Sequence, residues 1–141
     1  MKKALGLAGS PRRGGNSDIL LQEFLRGVSS RGCRAEIIYV SELNIAPCKE
    51  CNSCFKTGEC IIKDDMQEVY PRLLDVDYLI VATPIFFMGP SAQLKALIDR
   101  CQALWARKYI LKKTWDTAGK RGFLLATSAL VKKEGIFSGT I

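Results

Sequence analysis

Four cysteines fall in one short stretch, Cys48-x2-Cys51-x2-Cys54-x5-Cys60. Thiolates are soft ligands, and four in so short a span can wrap a single four-coordinate centre without help from the rest of the chain. Three closely spaced cysteines and a fourth are similar to the runs that hold iron–sulfur clusters. The ferredoxin pattern is tighter and ends Cys-Pro, whereas here Pro47 precedes the set. Zinc is the rival, although its sites more often show two separated Cys-x2-Cys pairs. A third option is a set of thiols that stay free or form disulfides.

A second stretch can bind an anion. The apolar run Ala4-Leu5-Gly6-Leu7-Ala8 gives way to Gly9-Ser10-Pro11-Arg12-Arg13-Gly14-Gly15-Asn16-Ser17, and a helical pattern starts at once. A short buried strand, a Gly-rich turn and a helix opening near Ser17 offer backbone N–H groups and a helix dipole to a phosphate. Ser10, Asn16 and Ser17 supply neutral hydrogen bonds, and Arg12 a two-pronged, charge-assisted one. Polar turns of this composition are common, but the strand before and the capped helix after favour a phosphate site. The loop lacks the Gly-Lys-Ser/Thr ending of a triphosphate cradle and is not G-x-G-x-x-G, which leaves a monophosphate. FMN is the usual monophosphate cofactor of flavodoxin-like sheets, held at the switch point between the first and third strands. There is no histidine and no Ser/His/Asp or Cys/His set, so the hard chemistry falls to a cofactor.

These residues need a parallel sheet to bring them together. Leu21, Phe24, Leu25 and Val28 recur at helical spacing from Ser17 to about Arg31, with Gly32 placed to end the helix. Ala35 to Val40 is rich in strand formers and reads as strand two. Residues 41–64 then form a long loop that carries the cysteines, and loops of that length are usually functional. Asp65-Met66-Gln67-Glu68 reads as a capping box with Asp65 as the cap, opening a helix through about Leu74. Tyr78 to Thr83 is a continuous apolar run, as expected of a central parallel strand. Phe86 and Phe87 follow it, at the strand end where α/β sheets place ligands. The next helix spans Ser91 to Arg107 with Leu94, Leu97, Ile98, Cys101, Leu104 and Trp105 on its inward stripe. Lys108 to Lys120 is a basic connector, and Gly122 to Thr127 is strand four. The expected fold is α/β, a flavodoxin-like doubly wound parallel sheet ordered 2-1-3-4. It forms one domain over residues 1–141 with a cysteine-rich insertion at 41–64.

With both motifs in place, the chain resembles the iron–sulfur flavoprotein family, within the wider group of NAD(P)H-dependent FMN reductases. The resemblance is carried by Gly9-Ser10-Pro11-Arg12 with Asn16-Ser17, by the cysteine run, and by Gly58-Glu59-Cys60 leading into Asp64-Asp65-Met66. Thr83-Pro84-Ile85-Phe86-Phe87 and Lys95 with Ile98-Asp99-Arg100 extend it. It implies FMN held at its phosphate by Ser10, Arg12, Asn16 and Ser17, with Pro84, Ile85, Phe86 and Phe87 lining the isoalloxazine. It also implies a [4Fe–4S] cluster on Cys48, Cys51, Cys54 and Cys60. Phe86 stands where many relatives have Tyr, which removes a hydrogen bond. Backbone N–H groups of the Pro84 to Met88 loop and of Thr127, Ser128 and Ala129 would stabilise the reduced ring. The expected function is an FMN-dependent oxidoreductase passing electrons from NAD(P)H or a ferredoxin to an acceptor through FMN and the cluster. The alternatives are a cluster-free NAD(P)H-dependent reductase of flavin, quinones or nitro compounds, and a zinc-stapled, non-catalytic binding module.

Composition sets the outer limits. At 141 residues, 48% apolar and 25% charged, the chain is ordinary for a folded domain and too short for two. Its net charge of +7 is spread in pairs such as Lys112-Lys113 and Lys132-Lys133, which suits an anionic cofactor or an acidic ferredoxin. No basic helix or basic-aromatic module points to nucleic acid. The uncharged stretch from Tyr78 to Leu94 is broken by Pro84, Gly89 and Pro90, so no membrane span is expected, and a cytoplasmic location follows. Fourteen residues follow Thr127, interrupted by Lys132-Lys133-Glu134-Gly135, too few for a fifth strand and a covering helix. Strand four is thus expected to be an apolar edge, covered in a homo-oligomer.

Overall fold

Alternation along the strands explains where the core sits. In the computed structural model, which describes residues 1–113 and 115–129, the apolar runs form β1 (Lys3–Ala8), β2 (Arg34–Tyr39), β3 (Tyr78–Pro84) and β4 (Arg121–Thr127). All pairings are parallel and the order is β2-β1-β3-β4, the flavodoxin-like arrangement. Successive side chains point to opposite faces of a strand, and β1 is buried on both. Leu5 and Leu7 join Ile38, Met66, Val69, Leu94 and Leu97 on one face. Ala4 and Ala8 join Leu21, Leu25, Ile80 and Ala82 on the other. Helix α1 (Asn16–Ser29) therefore covers the second face, while α3 (Met66–Asp75) and α4 (Ala92–Arg100) cover the first.

Two local expectations are corrected. The helix foreseen over Ser91 to Arg107 is α4, a break at Cys101, the short α5 (Gln102–Trp105) and a π-turn, Ala106–Ile110. Leu94, Leu97, Cys101 and Leu104 stay against the core, and Ala103 and Ala106 beyond the break are buried as well. Ile98 and Trp105 are left 43% and 47% exposed. Trp105 instead packs its ring between Phe55 and Tyr109, at 6.1 and 5.8 Å. At the start of α3 the capping carboxylate is that of Asp64, which accepts the Met66 N–H at 3.1 Å. Asp65 already has helical backbone angles, and its carboxylate accepts the Asn44 N–H at 2.6 Å instead.

Strand β4 is an edge, with no strand on its outer side among the described residues. Phe123 and Leu124 are 39% and 42% exposed, and the Phe123 ring lies 5.3 Å from that of Phe24 on α1. Lys132-Lys133-Glu134-Gly135 lies outside the described residues. No helix among the described residues is long and apolar enough to cross a membrane.

Candidate functional site

The candidate residues lie at or just beyond the carboxyl ends of the strands, so the sheet gathers them along one edge. Ser10 and Arg12 from the β1–α1 loop and Asn16 and Ser17 at the start of α1 share a cavity of about 640 Å³ with Pro84, Ile85 and Phe86 at the end of β3 and with Thr127 and Ser128 at the end of β4. That volume is in the range of small-molecule sites, roughly 300–1,000 Å³. The cavity depends on a close backbone approach at Gly9, where a Cβ would lie 2.8 Å from the Ala82 carbonyl oxygen and 2.7 Å from Leu94. Gly9 N–H donates to that same carbonyl at 2.7 Å. The buried Ser91 hydroxyl donates to the Gly9 carbonyl and accepts the Leu94 N–H, capping α4. Ser91 thus ties the start of α4 to the anion loop, a role its sequence position signalled only as a helix cap.

Within the loop, neighbouring residues divide the work. Arg13 is committed to the protein: it grips Glu42 through two bonds of 2.6 and 2.9 Å and lies 3.2 Å over the Tyr39 ring. This fastens the anion loop to the beginning of the cysteine loop. The exposed Arg12 makes no ion pair among the described residues, and its guanidinium rests against Gly15. Ser17 is buried, its hydroxyl hydrogen-bonded to Thr127 at 2.7 Å, which links α1 to the end of β4. Asp18, missed from sequence, is also buried and accepts the Gly14 N–H at 2.7 Å. One donor of the cradle is therefore answered internally. An arginine and a helix N-terminus at one end, with Pro84, Ile85 and Phe86 alongside, suit an amphipathic ligand with an anionic tail.

Phe87 and Met88 do not join this cavity. Phe86 and Gly89 bond to each other through both backbone groups, and the tight turn forces Phe87 to φ 44° and Met88 to φ 70°. Bulky residues rarely adopt such angles, which cost about 1–3 kcal/mol each. Both side chains project outward from the turn, Phe87 fully exposed.

The cysteine loop builds a second cavity, of about 490 Å³, lined by Cys48, Cys51, Cys54 and Cys60 together with Arg100. Left-handed backbone at Glu50 (φ 54°) and Asn52 (φ 56°) curls the chain between the first three cysteines, so that they face one space. The short helix α2 (Cys54–Thr57) ends at Gly58 in the left-handed region, φ 78°. All six cysteines are free thiols. Burial, then the charge that Cys60, Cys51 and Cys48 would carry as thiolates, pushes the Cys54 thiol up. Hydrogen bonds from the backbone and hydroxyl of Ser53 pull Cys51 down, favouring its thiolate. Among the described residues no three His, Cys, Asp or Glu side chains converge to hold one metal ion.

The base of this loop is closed by a buried ion pair. Arg100 is 1% exposed and grips Asp64 through bonds of 2.7 and 3.0 Å. It also donates to the carbonyls of Ala46 at 2.8 Å and Ile62 at 3.3 Å, on either side of the cysteine run. Burial works against the charge on both partners. On Arg100 the hydrogen-bonded Asp64 carboxylate outweighs it and holds the guanidinium charged. On Asp64 the guanidinium and the N–H groups of Ala46 and Met66 outweigh it and hold the carboxyl below its ordinary range. Tyr70 donates its hydroxyl to the Arg100 carbonyl at 2.8 Å.

A doubly wound parallel sheet with a cavity at the β1/β3 switch point is the flavodoxin-like architecture. The family described as NADPH-dependent FMN reductase matches residues 2–133, and the chain belongs to it. An iron–sulfur flavoprotein of Archaeoglobus fulgidus is 43% identical over 105 residues, covering 74% of this chain and 53% of that protein. An iron–sulfur flavoprotein of Methanocaldococcus jannaschii is 38% identical over 102 residues, covering 72% and 53%. The chain spans about half the length of the curated relatives it matches. Among solved structures, an azoreductase from Bacillus anthracis superimposes with a TM-score of 0.69 at 17% identity, over 91% of this chain and 69% of that one, a likeness of fold.

Proposed function

We propose that the protein is an FMN-dependent oxidoreductase that takes electrons from NAD(P)H or a reduced ferredoxin and passes them on through FMN and a [4Fe–4S] cluster. The observation that carries this reading is four thiols lining one cavity, on a loop that Arg13 and Glu42 fasten to the anion cradle. When bound, FMN exchanges one or two electrons and a cluster exchanges one, so that together they join two-electron and one-electron partners. Arg12 and the N-terminus of α1, with Asn16 and Ser17, hold the FMN phosphate, and Ser10 shapes the turn by accepting the Arg12 N–H at 3.2 Å. Pro84, Ile85 and Phe86 exclude water from one side of the ring. Thr127 and Ser128 close the other end of the pocket, and Phe87 and Met88 form an exposed apolar tip over the mouth. Cys48, Cys51, Cys54 and Cys60 ligate the cluster. The exposed face of β4 is covered by a second copy in a homo-oligomer, and the net charge of +7 suits an acidic ferredoxin as partner. The location is cytoplasmic.

Replacing one ligand tests the cluster against the cluster-free reductase. Cys51→Ser is expected to lose the cluster's visible absorption and most of its iron while retaining FMN. A variant with the same iron content, spectrum and NADPH-dependent turnover as the parent protein would favour the cluster-free reading.

A further inference from the structure

Arg100 carries five N–H donors, and the four on its Nη atoms face Asp64, Ala46 and Ile62. Its Nε is buried and has no partner among the described residues. The guanidinium is thus braced at both Nη atoms and keeps one unpartnered donor, on a residue that lines the cysteine cavity. Cys60 lines the same cavity as Arg100. A neutral thiol is a weak acceptor, whereas a metal-bound thiolate or sulfide is a good one. We propose that Arg100 Nε–H donates a hydrogen bond to a sulfur of the [4Fe–4S] cluster and so raises its reduction potential, an inference that rests on the cluster reading above.

The physical reason is that reduction adds an electron to the cluster, and its charge spreads over the sulfurs. A donor fixed at a sulfur stabilises the reduced form more than the oxidised form. Asp64 neutralises Arg100, so the pair keeps one unpartnered N–H beside the cavity and carries little net charge. Arg100 is therefore a positioning and tuning residue, whereas the cysteines are the ligands.

The test is an anaerobic redox titration of the whole chain, reconstituted with ferrous iron and sulfide and followed by electron paramagnetic resonance. Arg100→Lys keeps the charge beside Asp64 and removes Nε–H. The double variant Asp64→Asn/Arg100→Met removes both charges at similar volume, the replacement that buried ion pairs tolerate best. Both are expected to load iron as the parent does, and to lower the reduced-to-oxidised ratio at a given potential about tenfold, about 59 mV for one electron. Potentials unchanged in loaded variants would overturn the donor role. Loss of iron with the potential of the remaining cluster unchanged would also overturn it, leaving Arg100 a purely structural brace, as would unfolding of both variants by circular dichroism. A parent protein that takes up no cluster overturns the cluster reading itself, and this inference with it, and is told apart by that first measurement.

Discussion

Arg12 and Arg13 are adjacent in sequence and have opposite roles. Arg13 is held by Glu42 and Tyr39, whereas Arg12 is exposed and makes no ion pair among the described residues. A hydrogen bond to a charged group is worth roughly 1.5–3 kcal/mol, about ten- to a hundredfold in affinity. Arg12→Ala should therefore weaken FMN binding by that factor without unfolding the protein. Arg13→Ala should change it by no more than about fivefold, since an exposed ion pair is worth only about 0–1 kcal/mol. Fluorescence titration of the apoprotein with FMN distinguishes the two; equal effects would mean that the phosphate lies elsewhere. The sequence could nominate Arg12 from loop composition. That Arg13 faces away was not legible, because its partner Glu42 lies beyond α1 and β2 and only the parallel pairing of β1 with β2 brings it near.

At the scale of elements, the cysteine loop depends on the Asp64–Arg100 pair at its base. The folded carboxyl of Asp64 sits below its ordinary value, 3.8, so its contribution is present above that value and is lost as pH falls through the folded pKa. Breaking a buried pair by removing one partner costs about 3–5 kcal/mol. Asp64→Asn should lower stability by that amount at neutral pH, and the loss should shrink as pH falls below about 4. Thermal melts of both proteins from pH 7 down to pH 2 check it, and a constant difference across that range would contradict the assignment. The central strands β1 and β3 were legible in the sequence because burial within a parallel sheet leaves continuous apolar runs, and α1 because Leu21, Phe24, Leu25 and Val28 recur at helical spacing. The break of the long helix at Cys101 was not, since Ile98 and Trp105 fit a helical stripe as well as Ala103 and Ala106 do. Trp105 is drawn outward by Phe55 on α2, a contact between segments far apart in sequence. The capping-box spacing selects Asp65, but its carboxylate is taken by the Asn44 N–H, and Asp64, held by Arg100, accepts the Met66 N–H instead.

For the whole molecule, the order of the sheet brings the anion loop, the β3 loop, the end of β4 and the cysteine loop to one edge, and this convergence was legible from the order of elements alone. Phe87 and Met88 were assigned to the cavity by position after β3, and the Phe86–Gly89 turn directs them outward instead. Ser91 and Asp18 escaped notice because each looks like an ordinary helix-start residue until its partner, Gly9 or Gly14, is in place. The exposed Phe123 and Leu124 on β4 lead to an expected dimer or larger homo-oligomer by sedimentation equilibrium at micromolar concentration. A stable monomer with bound FMN would remove that proposal while leaving the cofactor reading intact. If this sheet edge holds FMN and a cluster together, an anaerobic absorption spectrum of the purified protein, taken before and after NADPH, shows flavin bands over broad cluster absorption, both bleaching on reduction. A colourless protein that takes up neither FMN nor iron and sulfide would rule out that shared site.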